Sequence, residues 1–191
     1  MKRLAVLSGI LALAAPLAVA QTSTWVPDKA HSDVNFAILH MSLSKVRGSF
    51  GNIGGTIVIN DSDVTKSTVN VTIDVTTVDT GVSSRDADLK SPGMFDAAKY
   101  PTATFVSTSV ATAAGGLTVN GNLTLHGITH PVTLHVEGPT GPVPGMDHKP
   151  HEGFSATTTI SRKAFDIGSK YPAAIVGDDV QLNIDLDIVK Q

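Results

Sequence analysis

Much of the chain alternates apolar and polar side chains with a period of two. Val69, Val71, Ile73 and Val75 alternate with Thr68, Asn70, Thr72 and Asp74. Val132, Leu134 and Val136 alternate with Thr133, His135 and Glu137, and Val180, Leu182, Ile184, Leu186 and Ile188 alternate with Gln181, Asn183, Asp185 and Asp187. In the run Leu117, Val119, Leu123 and Leu125, Gly121 takes one of the apolar slots. Successive side chains of a strand point to opposite faces, so each segment has one dry face and one wet face. The Val and Thr content adds strand propensity. Residues 34–40, 45–50, 55–60, 102–106 and 154–160 carry the pattern more faintly. Together these make about nine strands separated by Gly, Pro, Asn and Asp turns.

Clean one-sided alternation predicts antiparallel sheet with one solvated face. Helix is scarce. Residues 83–89 suit one short helix, with Ser83 and Asp86 near capping-box spacing and Pro92 beyond its end. Residues 161–167 suit a single turn ended by Gly168. The stretch 138–153 holds four prolines and four glycines and reads as an exposed loop. Gly51-Asn52-Ile53-Gly54-Gly55 precedes a strand, not a helix, so it reads as a turn and not as a phosphate cradle. Many short strands make either a sandwich or a closed barrel, and periodicity does not separate the two. Aromatic residues are only 5% of the chain. Few are available to plug an interior of Val, Ile and Leu, which leans toward a barrel with space inside.

The first twenty residues stand apart. Lys2 and Arg3 precede an apolar run from Leu4 to Leu17, and Ala18-Val19-Ala20 supplies a small-x-small cleavage site. This is the pattern of an export signal, with a run too short to span a bilayer. The expected organisation is therefore a leader over 1–20 and one domain over 21–191, placed in the periplasm or outside the cell and not stably inserted in a membrane. Removing Lys2 and Arg3 leaves 12 basic against 17 acidic residues. With no basic patch, nucleic acid is not an expected partner. There is no cysteine, so the fold relies on its core alone.

Candidate chemistry is thin. The chain has no G-x-S-x-G elbow, no phosphate loop and no H-E-x-x-H, so no catalytic residue is assigned. Of the seven histidines, His126 and His130 fall across an expected hairpin turn, while His148 and His151, with Asp147 and Glu152, offer at most a weak surface metal site. No metal is assigned. His40 is in register with Val34, Phe36 and Ile38, which predicts that it faces the interior and needs a polar partner. Arg85, Asp86 and Arg162 either tie the structure together or meet a ligand's head group.

Several pieces, taken in order, resemble the YceI-like family of bacterial polyisoprenoid-binding proteins. They are Asp28-x-x-His31-Ser32 with Phe36 and His40, Gly48-x-Phe50, Asp74-x-x-x-Val78-x-Thr80, and Arg85-Asp86-x-x-Leu89. Phe95-Asp96, Tyr100-Pro101 and Phe105 follow, then Gly121-Asn122-Leu123-Thr124-Leu125-His126-Gly127 and Arg162-x-x-Phe165. Met94 departs from the family's aromatic pair. The resemblance implies an extended, all-β, eight-stranded lipocalin-like antiparallel barrel with one or two short helices. It also implies an isoprenoid lipid or quinone as ligand in place of a cofactor, and homodimers as an assembly. A tunnel wall is expected from Phe36, Ile38, Val71, Ile73, Phe105, Val119, Leu123, Leu125, Leu134, Phe154, Ile184 and Leu186. His40, Arg85, Asp86, His126 and Arg162 are the candidates for the mouth. The expected role is transport, storage or sequestration. A quinone-binding accessory to stress response or electron transfer, and an enzyme acting on a small apolar substrate, are the alternatives.

Overall fold

A computed structural model describes residues 21–191, and the expected leader at 1–20 lies outside the described residues. Ten strand segments follow one another: β1 (Thr22–Pro27), β2 (Asp33–His40), β3 (Ser44–Phe50), β4 (Gly54–Asn60), β5 (Thr68–Asp74), β6 (Thr102–Ala113), β7 (Gly116–Leu125), β8 (Ile128–Pro144), β9 (Pro150–Ser161) and β10 (Val176–Lys190). One helix, α1 (Ser83–Leu89), and two 3-10 turns at 64–66 and 75–77 complete the described elements. All strand pairings are antiparallel.

The ten segments make eight staves. β1 and β2 lie end to end along β10, where Val26 pairs Val189 and Val34 pairs Ile184. β3 and β4 continue one another in the same way, with Phe50 against Val34 and Ile57 against Trp25. Each broken pair is one stave, and the β1–β10 pairing closes the ring into an eight-stranded barrel. A sandwich is thereby excluded. Closure removes most free edges, leaving β3 paired only with β2 apart from the Ser49–Asp79 bridge and β8 parted from β9 beyond His135 and Thr157.

The first break, at 28–32, is held by β10. Asp187 N–H donates to Ser32 Oγ (3.1 Å), Ser32 Oγ–H donates to the Asp187 carbonyl (3.0 Å), and Asp28 N–H donates to the same carbonyl (2.7 Å). A side chain here replaces the missing ladder bonds. The β7–β8 hairpin turns on two residues, His126 (φ 53°) and Gly127 (φ 74°), between the paired Leu125 and Ile128. Both residues lie in the left-handed region that a tight I′ hairpin requires. A Cβ on Gly127 would also stand 2.5 Å from the Tyr100 ring.

Four expectations are corrected. β1 was not among the expected strands. The stretch 138–153 is not a free loop: β8 runs to Pro144 and β9 starts at Pro150, forming an exposed hairpin arm whose register slips at two places. Ser83 does not cap α1, because Val82 occupies that position and makes no side-chain cap. The Asp86 carboxylate instead accepts from the Thr80 N–H (2.9 Å) and hydroxyl (2.5 Å). Val75 leaves the strand pattern and opens the 75–77 turn.

Candidate functional site

Inward-facing residues are not equally covered around the barrel. Val71, Phe105, Val119 and Leu123 on β5, β6 and β7 are buried, as are Ala156 and Ile160 of β9 and Ile188 of β10, while Val69, Ile73, Leu117 and Leu125 are half-buried. On β8, β9 and β10, Leu134, Phe154, Leu182, Ile184 and Leu186 point inward too, yet are only half-buried. An inward-facing side chain inside a closed barrel keeps exposure only where space is left beside it. That space forms two chambers of about 150 and 130 Å³. Apolar cavities of this size stay dry and accept small hydrocarbons. The chambers share Val34, Ile73, Leu123 and Leu182 in their linings, so they adjoin inside the barrel.

Each of the twelve expected wall residues borders one chamber or the other. Val71, Ile73, Phe105, Val119, Leu123, Leu134, Phe154, Ile184 and Leu186 border the first chamber, and Phe36, Ile38 and Leu125 border the second. The first chamber also uses Ile57, Ile59, Val69, Val110, Leu117, Val132 and Val136, which sit on the same alternating faces. Ser67 and Thr158 also border it, but neither presents polar surface to its space. The second chamber is closed by Leu89 of α1 with Met94 and Phe95. Phe95 meets Phe50 edge to face (5.4 Å between centroids), and Phe50 meets Phe36 (5.5 Å). Three aromatics thus cluster at the helix end, while Phe105 and Phe154 line the first chamber. Met94, at the position where an aromatic was expected, is buried and borders the chamber.

The expected mouth residues behave differently. His40, the last residue of β2, is exposed and does not face the interior. The apolar register ends before it, where β10 slips between Val176 and Val180. Arg85 Nε donates to Thr80 Oγ1 (2.8 Å) and its Nη2 to the Thr80 carbonyl (2.9 Å). With Asp86 also on Thr80, this pair ties α1 down. His126 Nδ1 lies 3.0 Å from the Phe165 carbonyl, and its ring packs edge-on to Tyr100. Arg162 is 3% exposed and directs all five N–H groups at carbonyls, those of Gly177, Ile167, Gly168, Tyr171 and Val176, at 2.6 to 2.9 Å. It has no donor left for a head group.

The acid–imidazole grouping also differs from expectation. Asp28, His31 and Asp187 bring ligand atoms within 4.8 Å of one another, whereas His148 does not join. His151 bridges Asp187 (2.7 Å) and Asp147 (3.2 Å), and the bond to Asp187 raises its pKa above the ordinary histidine value. Glu152 has one carboxylate oxygen buried without a partner, and burial pushes its pKa up. No helix among the described residues is long and apolar enough to cross a membrane.

The profile of the YceI-like domain matches residues 25–188. A UPF0312 protein of Vibrio parahaemolyticus is 35% identical over 182 residues, covering 92% of each chain. Protein YceI of Escherichia coli is 37% identical over 165 residues, covering 84% of this chain and 83% of its own. Among solved structures, Burkholderia cenocepacia BcnA is similar with a TM-score of 0.71 at 28% identity, covering 84% of this chain and 98% of that one. A Campylobacter jejuni YceI protein also reaches 0.71, at 30% identity, covering 86% and 96%. A polyisoprenoid binding domain from Saccharophagus degradans shares the fold, with a TM-score of 0.63 at 15% identity over 90% of this chain and all of that one.

Proposed function

The chain belongs to the YceI-like domain family, and from that premise we propose that it is an exported lipid-binding protein whose barrel takes up one long isoprenoid chain for carriage or sequestration. The observation that carries this reading is the pair of adjoining apolar chambers inside the barrel, bordered on β8–β10 by inward side chains that remain half-buried; we read them as one tunnel. Empty apolar space costs stability, because the lining atoms lose their packing partners. An apolar guest restores those contacts and gains roughly 25 cal/mol per Å² of surface removed from water. A thin, branched, flexible chain fits a narrow-waisted tunnel better than a rigid ring system does. The fold shared with a polyisoprenoid binding domain supports the same ligand class.

Native mass spectrometry of protein purified from its own host, before and after organic extraction, tests the reading. The expected result is a complex heavier than the chain by one prenyl lipid, lost on extraction. A mass equal to the bare chain, together with no uptake of added squalene, would refute it. Trimming of the leader is read in the same spectrum, where the exported form is expected to start near Gln21.

A further inference from the structure

The barrel seam between β8 and β9 is open at one end. Pairing between these strands begins at His135 and Thr157 and continues toward the hairpin arm. On the other side of that rung, β8 from Ile128 to Leu134 pairs only with β7, and β9 from Thr158 to Ser161 pairs only with β10. Two strand edges therefore face each other without a ladder. Pro131 stands in the unpaired length of β8 and has no N–H to offer, as expected of proline on a free edge. The chain bridges the foot of the gap by other means, with His130 Nε2 3.0 Å from the Ala164 carbonyl and its ring edge-on to Phe165.

A cleft of about 810 Å³ occupies this split. Val132, Thr158 and Leu182 line both the cleft and the first chamber, so the cleft lies directly against that chamber. Its outer rim carries Thr133, His135, Thr159, Gln181 and Asn183, and its lining contains neither carboxylate, lysine nor arginine. Lys45 reaches the rim only through Gln181, 2.8 Å from Oε1. The Thr158 hydroxyl, half-buried at the junction, makes no hydrogen bond among the described residues. A hydroxyl and two unzipped backbone edges at an apolar threshold need partners from outside the chain.

We propose that this split is a side mouth of the tunnel, in which an uncharged hydrogen-bonding head group, a quinone carbonyl or a prenyl alcohol, rests against Thr158 while the tail fills the barrel. The inference rests on the lipid-binding reading and adds the position and polarity of the head group. A phosphate would enter a cleft lined by neither lysine nor arginine, only by the imidazoles of His130 and His135, and would lose its hydration without a permanent cation to meet it. A neutral head group loses little on entry and satisfies groups that are otherwise left to water.

The test uses displacement of N-phenyl-1-naphthylamine by farnesol, farnesyl phosphate and squalene, on delipidated wild type and on Thr158→Val. Valine keeps the branched shape and strand propensity while removing only the hydroxyl. Expected are tighter wild-type binding of farnesol than of farnesyl phosphate, and a roughly 2- to 10-fold loss of farnesol affinity in the variant, the worth of one neutral hydrogen bond. Squalene, which has no head group, is the hydrocarbon reference, and the ratio of farnesol to squalene affinity should fall in the variant by that factor. Farnesyl phosphate binding more tightly than farnesol, or Thr158→Val leaving farnesol affinity unchanged, would overturn the side mouth while squalene binding keeps the carrier reading intact. Failure of squalene itself to bind the wild type would strike the carrier reading instead.

Discussion

Arg162 carries a full charge into the interior with no carboxylate bonded to it, and five carbonyl dipoles take the place of a counter-ion. The planar fork of the guanidinium is what allows one side chain to gather the 162–177 segment, which closes the barrel end beneath the cleft. Lysine has three donors and no fork. Arg162→Lys therefore leaves at least two of these carbonyls unmet and should cost on the order of 2–4 kcal/mol, read as a fall in Tm of roughly 5–15 °C. His151 gives a pH dependence of definite sign. Its bond to Asp187 raises its folded pKa, so its stabilisation is complete below the unfolded value of about 6.5 and disappears as pH rises through the raised one. Tm should drop over that window, and His151→Ala should flatten that part of the profile; an unchanged profile in the variant would show that the slope has another origin. The role of His151 was not legible in the sequence, and for Arg162 the sequence left a structural tie and a head-group contact both open, of which the fold shows the tie. Arg162 matched a family motif, but its partners are main-chain atoms of a loop, and loop conformation leaves no periodic trace.

Elements were far more legible than contacts. The four strong alternating runs all became strands, and α1 spans the expected 83–89, because period and propensity act within a few residues. β1 was missed for a local reason. Thr22–Pro27 is short and follows directly on the apolar leader, so its alternation had no turn to frame it. The 138–144 arm was missed because Gly and Pro dominate it, although bulged pairing to β9 still accommodates them. Gly121, recognised as occupying an apolar slot, has a reason that only the fold displays. Its missing side chain makes room for the Phe105 ring on the neighbouring β6, and a Cβ there would also stand 2.7 Å from the Val106 carbonyl. Backbone at that distance yields less easily than a side chain. Gly121→Ala should destabilise by about 1–3 kcal/mol through overpacking, checked by denaturant unfolding. A variant as stable as the parent would mean that β6 and β7 can separate at this point.

For the molecule as a whole, the tunnel links stability to cargo. The wall could be read from the sequence because inward faces follow parity. Its emptiness could not, since the same Val, Ile and Leu faces fill a sandwich when two sheets meet. What separates the cases is closure of the ring by β1 on β10, a long-range pairing that no local pattern encodes. The void left by closure should make the apo protein less stable than the loaded one. At free lipid a hundredfold above Kd, linkage predicts a gain of about 2.7 kcal/mol, or roughly 5–10 °C in Tm for a chain of this size. Leu134→Trp, placed on the half-buried wall of the first chamber, should uncouple the two. The indole fills the void, so the variant should keep or raise the apo Tm while losing most of the shift on adding squalene. If Leu134→Trp folds and still shows the full shift, the hydrocarbon occupies some other part of the protein. If the wild type shows no shift at saturating squalene, the chambers are packing defects and not a binding site.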